Sequence, residues 1–440
     1  MGIQNFPTVL QPIIQQGFLE REFEQALVSR LGYRACADRE QIAVGIGETL
    51  TKTRAGLKPT VTVPIAPATN TNLDNGLIPG NWGVEQFTIT VNHYAATADL
   101  NMVTSRVGIA SQFLQNAHTN GEQAARSLDE LARNALYSAY FGGNTRVRVT
   151  LGSAGTSVSV DDLRGFQVAF VNGVQLSVSV SNPLTVTIGA NVYTTVGATP
   201  DGTNVSTTWG GISGVLALSG SVSVSDGTVG NTVLSATASS IMRPSGRGNV
   251  SLLVASDTLT MSCLLDSVAR LRVNAVPEIN GAYNCYLDPV SARQLFSDPD
   301  FKLLFQGATS ANQVFRKGMT NDFLGLRFMP TTEVFVQPHP SLPNVMIRRP
   351  IICGAGALIE GDFAGMAADD VAPSDSIVTM VDGVAMVTRE PIDRLQQIIA
   401  QSWYWMGGFC APSDTTTNPT TVPTATNGSY KRAVIVEHVG

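Results

Sequence analysis

Two periodicities organise the chain. Over residues 105–141 apolar positions recur at helical spacing: Ala124, Leu128, Leu131, Ala135 and Ala139 form one stripe, flanked by Ala125, Ala132 and Leu136. Glu122, Arg126, Asp129, Glu130 and Arg133 fall off that stripe. The spacing predicts one long amphipathic helix of about 55 Å at 1.5 Å per residue, with Gly121 as the point where it would kink. A shorter helix is predicted within 18–31, where Leu19, Phe23, Leu27 and Leu31 step by four. Ser256 is placed to N-cap a third, whose apolar positions are Leu259, Leu264, Leu265, Val268 and Leu271. "SARQLFSDPDFKLLF" reads as a helix in two pieces around Pro299, with a cap at Asp298 or Asp300.

Alternation with period two marks the strands. "AYNCYLDP", "LGLRFMPT", "VMIRRPIICGAGAL" and "QQIIAQSWYWMGGF" are strand segments, and "YKRAVIVEHVG" is a terminal one. "SIVTMVDGVAMVTRE" is a hairpin turning on Asp382-Gly383. Residues 146–242 hold no lysine and are rich in Ser, Val, Thr and Gly; they read as an inserted all-β domain. Inside it, a two-residue turn at Asn172-Gly173 would pair Phe170 with Gln175 and Ala169 with Leu176. Neither face of that hairpin is then expected to be purely apolar, which points to a small closed barrel or a shifted register. Residues 45–83 are dominated by Gly, Thr and Pro, and their middle, "PTVTVPIAP", alternates. That is too long for an ordinary loop, so a projecting two-stranded arm is predicted, one that needs a partner surface.

At 440 residues the chain has room for two or three domains, or for one domain with a large insertion. Charged residues make up 14%, against roughly 25% in ordinary soluble domains. Such a surface suits a protein that hides much of itself against other subunits. The net charge is −6, and the nearest approach to a basic run is Arg348-Arg349 or the pair Arg146 and Arg148, which excludes tight sequence-independent DNA binding. Five scattered cysteines form no CxxC pair, so reduced, buried thiols are expected. "MGIQNFPTVLQPIIQQ" lacks the basic region of a signal peptide, and Phe6 breaks the myristoylation pattern. No apolar run reaches the ~18 residues of a membrane span. The expectation is a protein made in a cytoplasm and kept there.

Candidate chemistry fails letter by letter. In "VGIGETLTKTRAGLKPTVTVP" the position before Lys52-Thr53 must be glycine for a phosphate loop and is Thr51, and the β-branched, proline-bounded run after it reads as strand, not helix. His93, His118, His339 and His438 sit in no metal-binding spacing. "GGISGV" resembles a nucleophile elbow at Ser213, but Val215 stands where the closing glycine belongs. Asp298-Pro299-Asp300 opens like a calcium loop and then places Lys302 at position five. Asp161-Asp162 and Asp369-Asp370 read as turn residues. No nucleophile, base and orienter come together, so no enzyme activity, cofactor or metal is expected.

The order of elements and several phrases carry a resemblance: "REFEQALVSRLGYRACADRE" leading into "GETLTKTR", "ARNALYSAYF", "YLDPVSARQLFSDPDF", "LGLRFMPT" and "RRPIICGAGALIEGDFAG". Over residues 1–145 and 246–410 the chain resembles the major capsid proteins of tailed bacteriophages, whose fold is named for phage Hong Kong ninety-seven. The resemblance implies an α+β fold divided as follows: an N-terminal arm and short helix (1–44), an extended E-loop (45–90), a peripheral domain with the long helix (91–145), an inserted all-β, barrel-like domain (146–245), a peripheral and axial body (246–410), and a Thr/Pro-rich linker with a terminal strand (411–440). It implies homo-oligomers, hexamers and pentamers in an icosahedral shell, with a scaffolding protein, a portal and a decoration protein as partners. DNA would be enclosed without sequence-specific binding, in a virion assembled in the host cytoplasm, with no membrane partner. The arm would lie over a neighbour, with Lys52, Arg54, Lys58, Phe18 and Phe23 as inter-subunit contacts. Some relatives cross-link an arm lysine to an asparagine; no partner for that is identified here, and cross-linking is not expected. A nanocompartment shell of the encapsulin type, or a β-rich surface adhesin, are the alternatives.

Overall fold

The computed structural model describes residues 32–42, 49–55, 84–101, 112–171, 174–205, 210–239, 241–302, 322–323, 325–363, 378–389, 398–413 and 430–440. The expected short helix at 18–31 lies outside them, as do most of the arm, Asp369-Asp370 and most of the linker. The architecture is α+β, in two compact units. Unit one comprises residues 1–50, 88–135 and 358–410, and unit two comprises residues 51–87, 136–357 and 411–440.

Unit one is a six-stranded sheet covered by a helix. Its axis is the strand Ile398–Cys410. One side of that strand pairs antiparallel with Asn92–Asn101; the other is shared between Val384–Arg389 and Leu358–Phe363. Alternation puts Trp403 and Trp405 on one face, opposite Ala96 and Tyr94 in the neighbouring strand. Ala117, Ala124, Ala125 and Leu128 of helix α1 (Gln112–Tyr140) pack there with both tryptophans, Val381, Val384 and Met386. Alanine lets helix and sheet approach closely, leaving room for the indoles. The helix passes through Gly121 without interruption. The Asp382-Gly383 hairpin forms as expected, with both residues at positive φ as a type I′ turn requires.

Unit two contains a second six-stranded sheet, confined to residues 144–235, in the order Asn144–Arg146, Thr232–Ser235, Leu184–Ile188, Asn191–Pro200, Gly214–Val222, Gly155–Val160. A bridge between Val147 and Val160 joins its two ends, so the sheet closes on itself. Leu184, Val186 and Ile188 point inward with Val158, Val160, Leu216, Leu218 and Phe166, while Thr185 and Thr187 face outward.

The hairpin Val168–Val171 with Val174–Ser177 has the expected pairing, Phe170 with Gln175 and Ala169 with Leu176. The expectation about its faces is corrected. Cross-strand partners share a face, so Ala169, Val171, Val174 and Leu176 make one wholly apolar side, with Phe170 and Gln175 on the other, against Tyr430. Val171, Val174 and Leu176 are each more than a third exposed.

The rest of unit two holds a mixed sheet, ordered Ile241–Met242, Ala433–Val436, Ile351–Cys353, Tyr283–Leu287, Leu326–Pro330, Asp322–Phe323. Helix α2 (Met261–Val273) buries Met261, Leu264, Val268 and Leu271 in the same core as Tyr283, Cys285 and Leu287. Its start is also a correction: the N-cap is Thr260, not Ser256, and Leu265 is exposed. The cause lies far along the chain. Asp298 Oδ2 accepts from the Met261 amide at 2.7 Å and Gln294 Oε1 from the Leu259 amide, the one a Ser256 cap would have taken, at 3.1 Å, so two remote side chains satisfy the donors at the helix start. Helix α3 (Pro289–Ser297) ends before Pro299 as predicted, and Asp298 caps the next turn through the Asp300 amide. A third, three-stranded sheet joins Phe335–Pro338, Met346–Arg349 and His438–Val439.

Candidate functional site

The sequence-nominated chemistry resolves into structural roles. Lys52-Thr53 lies on the strand Thr49–Ala55, extended backbone that cannot form a phosphate loop. Ser213 donates to Asp201 at 3.2 Å. His339 Nδ1 accepts from the Ser341 and Leu342 amides, and His93 packs edge-on against Tyr404. Cys36, Cys263, Cys285 and Cys353 are buried free thiols, and burial pushes Cys263 up to about 12. Among the described residues no group of three or more His, Cys, Asp or Glu is placed to hold a metal. No helix among them is long and apolar enough to cross a membrane.

One arrangement does bring a serine, a histidine and an aspartate together. Ser291 Oγ hydrogen-bonds Asp288 and lies 2.8 Å from His438 Nε2. Here the serine sits between acid and imidazole, so the carboxylate orients the hydroxyl and not the ring, unlike a hydrolase relay. His438 Nδ1 faces the Val439 carbonyl at 3.1 Å, and Ser291 and His438 are wholly buried, with no approach for a substrate. Asp288 also caps α3 and accepts from Arg348 Nη1 at 2.6 Å. Burial pushes His438 down from 6.5 to about 4. Its folded value is depressed, so its contribution to stability is complete above pH 6.5 and disappears as pH falls toward 4. We expect wild-type unfolding free energy to drop by on the order of 3 kcal/mol more than that of His438→Gln between pH 7 and 4. Parallel urea-unfolding curves of the two proteins across that range would contradict this.

In unit one, residues 32–42 are strapped down by buried charge. Asp129 Oδ1 accepts from three successive amides, Gly32 at 3.0 Å, Tyr33 at 2.5 Å and Arg34 at 3.2 Å. Arg34 forks onto Glu360, at 2.6–3.0 Å, and reaches Asp382 at 3.3 Å; Arg34 and Glu360 are both buried. The strand Ala37–Ile42 then runs parallel to Leu358–Phe363. Sequence reading placed Asp129 on the polar side of α1 and assigned it no task.

In unit two a larger network lies beneath the closed sheet. Arg146 Nε donates to Asp161 at 2.5 Å, and Gln337 donates to the same oxygen at 2.9 Å. Gln337 Oε1 accepts from Arg349 Nη2 at 2.6 Å. Glu437 accepts from Arg349 and Arg243, each at 2.8 Å. Arg164 forks onto Asp162 at 2.8–3.0 Å and donates to the Gly210 carbonyl. Asp161-Asp162 does sit where the strand Gly155–Val160 ends in a turn, with Asp162 Oδ1 accepting from the Arg164 amide at 3.0 Å, and both are in addition buried ion-pair partners. "GGISGV" also acquires a reason. Gly210 takes φ +77°, and a Cβ on Gly211 would come within 2.1 Å of Asp162.

Of the nominated contact residues, Lys52 and Arg54 lie on Thr49–Ala55, which pairs with Val84–Thr90 in a two-stranded ribbon. Phe18, Phe23 and Lys58 lie outside the described residues.

No family model and no curated protein matches the chain. Solved structures do. The capsid protein of Ralstonia phage GP4 superposes with a TM-score of 0.51 at 10% identity, covering 93% of this chain and 91% of that one. This chain has a phage capsid fold. The capsid of cyanophage P-SCSP1u matches at a TM-score of 0.46 with 10% identity, over 91% and 86% of the two chains. That of cyanophage Pam1 matches at 0.45 with 11%, over 89% and 85%. The GP4 match spans nearly all of both chains. The expected α+β capsid fold is met.

Proposed function

We propose that this protein is a major capsid protein, assembling as hexamers and pentamers into an icosahedral head that encloses phage DNA. The observation that carries this reading is the end-to-end fold likeness to the Ralstonia phage GP4 capsid. Composition supports it: 14% charged residues suit a chain covered by its own copies, and a net charge of −6 suits a wall that holds DNA without gripping it. Head-to-tail contacts between identical chains close into rings, as such a shell requires. The nanocompartment and adhesin alternatives gain no observation of their own.

In this reading residues 45–90 are the arm that lies over a neighbouring subunit, rooted in the ribbon of Thr49–Ala55 and Val84–Thr90. Lys52, Arg54 and Lys58 pair with a neighbour's acidic groups, and Phe18 and Phe23 pack on its apolar surface. A scaffolding protein and a portal direct assembly in the host cytoplasm, and a decoration protein binds the finished virion.

The test is electron microscopy of the purified chain with scaffold supplied, beside size-exclusion light scattering. Shells or capsomer rings are expected. A deletion of residues 50–60 should leave a folded chain that makes no shells. A wild-type chain that stays monomeric at every concentration would overturn the reading, and normal shells from the deletion would overturn the arm assignment.

A further inference from the structure

The network beneath the closed sheet does not balance its charge. Arg146, Arg164, Arg243 and Arg349 face Asp161, Asp162 and Glu437, four guanidinium groups against three carboxylates, and Arg146, Arg164, Arg349 and all three acids are more than nine-tenths buried. Each carboxylate is already engaged: Asp161 by Arg146 and Gln337, Asp162 by Arg164, Glu437 by Arg243 and Arg349. A buried charge without a counter-charge is among the costliest features a fold can carry.

A small cavity of about 20 Å³ opens inside this network. Arg146, Arg243 and Arg349 line it with Asp162, Glu437 and Phe141. Nη1 of Arg146 and Nη1 of Arg349 are fully buried and have no hydrogen-bond acceptor; Nη1 of Arg164 is in the same state but Arg164 does not line the cavity. Arg349 stacks on Phe141, 4.5 Å from the ring centroid, which holds its guanidinium plane in place. Burial pushes Arg146 below its ordinary range against the pull of Asp161, and the facing charge of Arg349 adds to that. Asp161 Oδ1 is unpartnered too, but Asp161 does not line the cavity.

We infer that this cavity is a binding site for one small monatomic anion of the chloride class, held between the Nη1 groups of Arg146 and Arg349. The volume has room for a particle about the size of one water. An anion supplies both missing acceptors and cancels the excess charge, whereas a water supplies acceptors only. Bound there, it would be a structural ion that fixes the closed sheet to the strands carrying Gln337 and Arg349 and to Glu437 between the two terminal strands.

The test uses the full chain at constant ionic strength, with sodium gluconate replaced stepwise by chloride or bromide. We expect a saturable rise in Tm of about 2 °C or more with either halide. Arg349→Met removes one donor and balances the charges, and Glu437 keeps Arg243, so its Tm should not respond to halide. Should that variant not fold, crystals of the wild-type chain in bromide decide the matter: one anomalous peak between Arg146 and Arg349 is expected. A Tm indifferent to halide in the wild type, or only an ordered water at that place, would overturn the inference.

Discussion

Glu437→Gln should destabilise the chain by about 3–5 kcal/mol, the usual cost of stripping the counter-charge from a buried pair. Glu437 is 1% exposed and holds two guanidinium groups, Arg243 and Arg349, each at 2.8 Å. Burial alone would raise its pKa, but Arg243 and Arg349 more than offset that and keep the carboxyl below its ordinary range. A glutamine fits the same space and can accept from only one of the two arginines. The depressed folded pKa sets the sign with pH: the stabilisation is complete above the ordinary carboxylate value of 4.5 and fades as pH falls through the lower folded one. The gap between wild type and variant should therefore be full at pH 7 and narrow in acid. Equilibrium unfolding in urea at several pH values measures it. A loss below about 1 kcal/mol at pH 7 would mean that the arginines find other partners.

The second large effect is expected in unit one. Asp129→Ala removes a carboxylate that satisfies three successive amides and should cost about 3 kcal/mol, since hydrogen bonds to a charged acceptor are worth more than neutral ones and the amides would be left bare. Asp129→Asn keeps an acceptor oxygen without the charge and should fall between. The informative readout is local: amide hydrogen exchange at Gly32, Tyr33 and Arg34 should accelerate in Asp129→Ala, with the strand Ala37–Ile42 following. Unchanged exchange at those amides would show that Arg34 and Glu360 hold the segment unaided.

These two residues also mark where sequence reading reached its limit. The long helix, the Asp382-Gly383 turn and the hairpin register at Asn172-Gly173 were legible because their causes are local: an apolar stripe, two residues tolerant of positive φ, a two-residue loop. The helix start at Met261 was not, since its amide is taken by Asp298, far along the chain. Asp129 looked like one more polar position on a helix because the amides it caps lie far back along the chain, and Asp161-Asp162 read as the turn it is but not as part of a buried network, because Gln337 lies far along the chain. The paired glycines of "GGISGV" had the outline of a catalytic motif, but Gly211 lets backbone pass over Asp162 and Gly210 takes a positive φ against Arg349 and Gln337. Burial of charge is a non-local property, and it was read as surface wherever the partner was remote.

The strand Ala433–Val436 has a consequence for the order of events on the ribosome. It lies between Ile241–Met242 and Ile351–Cys353, both made long before it. A nascent chain must keep that slot open, with unpaired edges on either side, until residues 433–436 emerge. Such edges invite pairing with other chains. Unit two therefore completes late, its last strand delivering Glu437 and His438 to their buried partners in the same step.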